Sequence, residues 1–178
     1  MRDKLITVFN SECARAIELF KLGARLQLVV VLVDLSRHKL VKLYSETFKT
    51  NPPKGQLPWS EDWVKKWRPN MHSSLFIAFH SFLEKNTKLK DTDLFIKSYK
   101  LYKEHIEDNN LEEVLSFSRA WMVHRYIKLN MLLTTTCNRC GGSFVNYDII
   151  EPKHFTCGIC NPPSRAGAIS KYRKNKLK

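Results

Sequence analysis

The residue types and spacing with the clearest chemistry are four cysteines in the last third of a 178-residue sequence. They run Cys137-Asn-Arg-Cys140-Gly-Gly, then sixteen residues separate Cys140 from Cys157, and Cys157-Gly-Ile-Cys160 follows. Two C-x2-C pairs about 15–20 residues apart form a zinc-site pattern. Two residues between ligands let one tight turn aim both sulfurs at a single ion, and a second such turn completes a tetrahedron that zinc accepts without strain. Gly141 and Gly142 suit the turn after Cys140, and Gly158 relieves crowding inside the second pair. The expected ligands are Cys137, Cys140, Cys157 and Cys160, holding one Zn2+ per chain.

Two other chemistries compete for these cysteines. A redox C-x-x-C needs one pair at the head of a helix in a βαβ setting, and no such setting is legible; disulfides are disfavoured in a reducing cytosol. Zinc with four thiolates has no open position and is a poor Lewis acid, so the ion reads as structural. His-Glu-x-x-His, a Gly-rich phosphate loop and the His-x-Glu deaminase arrangement do not occur, which points away from an enzyme and a small-molecule substrate.

The elements around the cysteines read as helical before them and as short strands between them. Ser11 can cap a helix bearing Cys13, Ala16, Ile17, Phe20 and Ala24. Ser36 can cap one over Arg37–Phe48, with Leu40, Val41, Leu43, Tyr44 and Phe48 inward. A third, from Asn70, carries Leu75, Phe76, Phe79, Phe82 and Leu83. A fourth, from Asp91 or Thr92, carries Leu94, Phe95, Tyr99, Tyr102 and Ile106, and a fifth runs from about Leu111 to Leu133. Strands at 143–150 and 153–156, with a turn at Glu151-Pro152, would build a zinc ribbon. The fold class is therefore mostly α, a helical domain followed by a small C-terminal four-cysteine zinc ribbon. Its expected divisions are a helical domain at 1–135, the ribbon at 136–166 and a basic flexible tail at 167–178.

Charge sharpens the picture. The chain carries 30 Lys+Arg against 17 Asp+Glu, a net +13 that favours a polyanionic partner. Residues 36–68 hold 8 basic and 3 acidic groups and residues 136–178 hold 8 and 2, whereas the remainder is nearly neutral. Arg37, Lys39 and Lys42 crowd the start of the Ser36-capped helix, the wrong end for the helix dipole. With the apolar segment before it, 23–48 has the outline of a helix-turn-helix that presents Arg37, Lys39 and Lys42 to DNA; equally, Val29-Val30-Val31 could be a buried strand. Near the cysteines, Arg139, Lys153, Arg165, Lys171, Arg173 and Lys174 complete the candidate DNA contacts.

The remaining conspicuous residues have blander readings. Trp59, Trp63 and Trp67 recur every four residues, either packing their proline-rich loop onto the core or forming a partner interface. His72, His80, His105 and His124 lie on helices without a partner at metal-ligand spacing and read as structural. Cys13 reads as a small buried hydrophobe. The longest apolar run, Leu28–Val33, is far short of the roughly 20 residues that cross a bilayer, so no membrane partner is expected, and the start lacks a secretory pattern. The expected location is the cytoplasm.

Taken together, the motifs resemble one family, FlhC, a subunit of the bacterial flagellar master transcriptional activator. The matching stretches are Leu22-Gly-Ala-Arg-Leu-Gln27, Leu35-Ser-Arg37 with Leu40 and Lys42-Leu-Tyr44, Pro52-Pro-Lys-Gly55 with Leu57-Pro58 and Asp62-Trp63, Arg119-Ala-Trp121, Cys137-Asn138 with Cys140-Gly-Gly142, and Cys160 with Pro162-Pro-Ser-Arg-Ala166. The resemblance implies a heterohexamer with FlhD, binding to promoters of flagellar operons, and recruitment of RNA polymerase holoenzyme. It also assigns zinc to Cys137, Cys140, Cys157 and Cys160. The lysine-rich end after Ala166 departs from the family pattern, so no role is carried over to it. The competing class is a zinc-ribbon RNA-binding or ribosome-associated module, which fits the charge and the cysteines equally well.

Overall fold

The computed structural model describes residues 6–53, 55–147, 154–164 and 166. Among them are six α-helices, one 3-10 turn and one two-stranded antiparallel sheet. The helices are α1 (Ile6–Lys21), α2 (Leu26–Leu32), α3 (Arg37–Phe48), α4 (Trp67–Asn86), α5 (Asp91–Asp108) and α6 (Phe117–Lys128); the strands are β1 (Leu133–Thr136) and β2 (Ser143–Asn146).

Helix α1 buries Ala16, Leu19 and Phe20 and begins five residues before Ser11. The Ser11 hydroxyl donates to the Val8 carbonyl at 2.8 Å inside the helix and caps nothing. Residues Val29–Val31 belong to α2, which overturns the strand alternative. No strand lies beside them among the described residues, so their backbone is satisfied internally, Val33 N–H reaching Val29 O at 3.1 Å. Only one side is buried: Val29 is fully covered, whereas Val31 is 69% exposed. A four-residue turn leads to α3, where Ser36 Oγ accepts from Lys39 N–H as its type and position require. Phe20, Tyr44 and Phe48 lock α3 to α1, with Phe20 and Tyr44 edge-to-face at 4.8 Å.

The tryptophan segment is not one helical face. Asp62–Lys65 forms the 3-10 turn, Lys66 is extended, and α4 starts at Trp67. Helix α4 thus begins before Pro69 instead of after it, because a first-turn residue has no intrahelical N–H bond to lose. Trp59 stays 63% exposed, Trp63 packs against the core under the Arg119 guanidinium at 5.1 Å, and Trp67 turns toward the cysteines.

The expected Leu111–Leu133 helix is three pieces. Tyr99 on α5 donates its hydroxyl to Leu115 O at 3.0 Å, and Leu115 N–H donates to the Tyr102 hydroxyl at 3.4 Å, which ties the non-helical residues 111–116 to α5. Ser116 then caps α6, accepting from Arg119 N–H, and Asn130 in the left-handed region ends it. The core of α4, α5 and α6 is aromatic, with Phe95 in contact with Phe76, Phe117 and Trp121 at 5.1–5.3 Å.

The sheet also differs from expectation. Strand β1 precedes Cys137 and pairs with β2 in the register Leu133↔Asn146 through Thr136↔Ser143. The first Cys-x-x-Cys is therefore the hairpin loop itself. The expected strand at 143–150 is seen as Ser143–Asn146, with 148–150 outside the described residues; His154, Phe155 and Thr156 are not strand, and Lys153 and the Glu151-Pro152 turn lie outside as well. Among the described residues, six α-helices against two four-residue strands bear out the mostly-α class.

Candidate metal centre and its basic surroundings

The β1–β2 hairpin delivers Cys137 and Cys140 on its loop, and the turn at 157–160 brings Cys157 and Cys160 to meet them. The four Sγ atoms lie within 4.8 Å of one another, and Cys140 and Cys157 are 3.8 Å apart. A tetrahedral ion with metal–sulfur bonds near 2.3 Å sets neighbouring sulfurs about 3.8 Å apart, so the cage fits a single thiophilic ion. Gly141 has φ +72°, the left-handed turn residue this loop needs, and Gly141 N–H closes the turn onto Cys137 O at 2.9 Å.

Backbone N–H groups point at the sulfurs. Cys157 N–H and Arg139 N–H reach Cys137 Sγ at 3.3 and 3.4 Å, and Cys160 N–H reaches Cys157 Sγ at 3.4 Å. The first of these, from Cys157, is the main reason the Cys137 thiol is lowered to about 6. Burial, helped by the neighbouring sulfurs, pushes Cys160 up to about 12. Cys137 is thus favoured as a thiolate at neutral pH. Four such side chains could bind a metal ion.

What fixes the hairpin is α4. Strand β2 pairs with β1 along one edge; on the other, the Val145 carbonyl accepts from Asn70 Nδ2 at 2.8 Å and its N–H donates to Ser74 Oγ at 2.9 Å. Helix side chains thereby finish a strand edge that would otherwise be open. One turn earlier on α4, Trp67 Nε1 donates to Gly158 O at 2.7 Å, and Met71 packs on the cluster of Cys137, Phe144 and Cys157. Sequence reasoning gave Asn70, Met71 and Ser74 no role at the cysteines, and took Trp67 only as core packing or a partner interface. The signal at Asn70 and Ser74 was a polar stretch at the start of a helix where an apolar face would be expected.

The expected DNA contacts fall on different elements. Arg37, Lys39 and Lys42 are all exposed on α3. Lys39 Nζ sits over the Phe9 ring at 5.1 Å, Lys42 pairs loosely with Glu46 at 3.9 Å, and Arg37 lines a cleft with Arg25, Val41 and Pro52. Arg139 is exposed at the metal centre, its Nη1 donating to Cys160 O at 2.9 Å, so it bridges the two cysteine turns. Lys153, Arg165, Lys171, Arg173 and Lys174 lie outside the described residues.

The histidines are accounted for by packing. His72 Nδ1 meets the Tyr102 hydroxyl at 2.8 Å, and His80 lies 4.6 Å from His124 between α4 and α6. Cys13 packs half-buried against the core, and burial raises its thiol pKa.

Comparison with known proteins now gives these features a setting. The family model described as "Flagellar transcriptional activator (FlhC)" matches residues 1–174. A "Flagellar transcriptional regulator FlhC" of Nitrosomonas eutropha is 45% identical over 178 residues, covering 100% of this chain and 93% of the relative. Proteins of the same name from Paraburkholderia atlantica and Pectobacterium carotovorum are 45% and 40% identical, covering 96% and 98% of this chain and 79% and 91% of those relatives. The RNA-binding or ribosome-associated reading finds no support among these relatives, all named as transcriptional regulators. With helical core and clustered cysteines both inside the matched span, the chain belongs to the FlhC family of flagellar transcriptional activators.

Proposed function

We propose that the chain is the DNA-binding subunit of an activator that assembles with FlhD as a heterohexamer, binds promoters of flagellar operons in the cytoplasm, and engages RNA polymerase holoenzyme. Cys137, Cys140, Cys157 and Cys160 hold one Zn2+ per chain, whose chemistry is structural: a filled thiolate shell fixes the two turns relative to each other. No catalytic role is proposed. Functionally the chain divides into a helical part at 1–135, a zinc ribbon at 136–166 and a basic tail at 167–178.

The observation that carries the reading is the coincidence of a family match over residues 1–174 with four cysteine sulfurs gathered within 4.8 Å beside exposed Arg139. The net charge of +13 supports a phosphate backbone as the surface gripped. Arg139, Lys153, Arg165, Lys171, Arg173 and Lys174 serve the metal end, and Arg37, Lys39 and Lys42 serve the α2–turn–α3 segment.

The test is co-purification with FlhD followed by footprinting on a flagellar promoter. Neutralising about six phosphates gives a log–log salt slope near −5. A slope near zero, or stronger binding to structured RNA than to the promoter duplex at equal salt, would overturn the reading.

A further inference from the structure

The tip of the second cysteine turn carries an apolar side chain left mostly uncovered by the described residues. Ile159 is 64% exposed although it stands between two buried or half-buried cysteines. Its turn is held on both flanks. Asn161 N–H bonds Cys157 O at 2.9 Å, Gly158 O accepts from Trp67, and Cys160 O accepts from Arg139. A branched aliphatic group left mostly in water gains little for stability, because most of its apolar area stays hydrated. It loses little entropy on contact, because its backbone is already fixed.

Two exposed cations belong to or adjoin the residues that anchor its turn. Arg139 is anchored to the residue after Ile159, and exposed Lys66 directly precedes Trp67, which is anchored to the residue before it. Lys65, next along, already spends its charge on Asp62 at 2.8 Å. One hydrogen bond to Cys160 O leaves Arg139 further N–H donors for an acceptor outside the chain. An apolar side chain beside the exposed Arg139, with Lys66 one residue from the other anchor, complements a nucleic-acid groove better than an apolar protein face, which would have to desolvate those charges.

We propose that Ile159 reads DNA from the major groove by packing on thymine methyl groups, with Arg139 and Lys66 holding the flanking phosphates or base edges. A turn bearing side chains fits a groove about 12 Å wide and not one about 6 Å wide, and the thymine methyl is the apolar feature of the wider groove. This rests on the DNA-binding reading above, and names one residue that gives it sequence preference.

The experiment is fluorescence anisotropy with the metal-loaded chain in complex with FlhD, on promoter duplexes in which single thymines are replaced by uracil, removing only the methyl. At one or two positions the substitution should weaken binding about fourfold, the worth of one methyl-sized contact. Ile159→Ala should lose a similar factor on the thymine duplex and show no further loss on uracil at that position. Retained metal content and helical signal in Ile159→Ala separate lost contact from lost folding. Uracil effects that are equal in wild type and Ile159→Ala overturn the proposal while leaving promoter binding intact. So would unchanged DNA binding by Ile159→Ala with weakened FlhD association, which would make the tip a protein contact. Failure of the wild-type complex to bind promoter DNA would instead sink the reading on which it rests.

Discussion

At the scale of single residues, the cysteine cage was legible from spacing alone, because ligand geometry depends on a few bonds. Cys137→Ser removes the sulfur that already receives N–H groups from Cys157 and Arg139. With the zinc site proposed above, metal content by elemental analysis should fall to near zero, while helical circular dichroism is largely kept. Gly158 was read as relief for its own turn, but the structure shows a different constraint. A Cβ there would stand 2.7 Å from Trp67 Cδ1 and 2.8 Å from its Nε1. Gly158→Ala should therefore push the turn off α4, costing about 1–3 kcal/mol, and a chelator competition should show weaker metal retention although all four cysteines remain. A tight contact with a side chain ninety-one positions away leaves no mark on local sequence.

At the scale of elements, periodicity located the helices because each buries one stripe, and it failed where tertiary hydrogen bonds overrode it. Tyr99 and Tyr102 hold residues 111–116 out of helix, a competition that a helical pattern of apolar residues cannot register. Local capping chemistry, in contrast, was readable: Ser36 accepts from Lys39 N–H, and Ser36→Ala should cost about 1 kcal/mol in a denaturant titration. The contact between α4 and α6 has a pH dependence. Burial first, then His80 and Lys128, lower His124 to about 4, and burial likewise lowers His80, which Glu84 partly offsets. Below the usual histidine value of 6.5 the unfolded chain takes up protons that the folded chain refuses. Stability is therefore complete above about pH 6.5 and falls as pH drops toward 4. The melting temperature should decline between about pH 7 and about pH 5, and His124→Gln should flatten that decline.

At the scale of the whole molecule, the sequence showed a helical part and a metal part but not how they meet. The expected ribbon had both strands between the cysteine pairs, whereas the hairpin straddles Cys137 and Cys140 and lays its free edge on α4. That interface depends on Asn70 and Ser74, polar residues indistinguishable from a solvated helix face until the strand is in place. Metal removal should then be felt beyond the cysteines. Stripping the ion with a chelator should free Trp67 from Gly158 and shift tryptophan emission to longer wavelength, with the melting of α1–α3 little changed. Unaltered emission on full metal loss would show that the hairpin stays docked without it.

The bonds from Asn70 and Ser74 to Val145 join positions 75 and 71 residues apart. During synthesis α4 is complete while the cysteines have yet to emerge, so the helix exists for a time with those groups hydrated and Trp67 uncovered. Pairing across such a separation is slow relative to local helix formation, which makes hairpin docking and ion capture the closing event of biogenesis. With the ion proposed above, the supply of metal would act as a clock on maturation: chains that find an ion late would spend longer with their helices formed and their C-terminal module still unassembled.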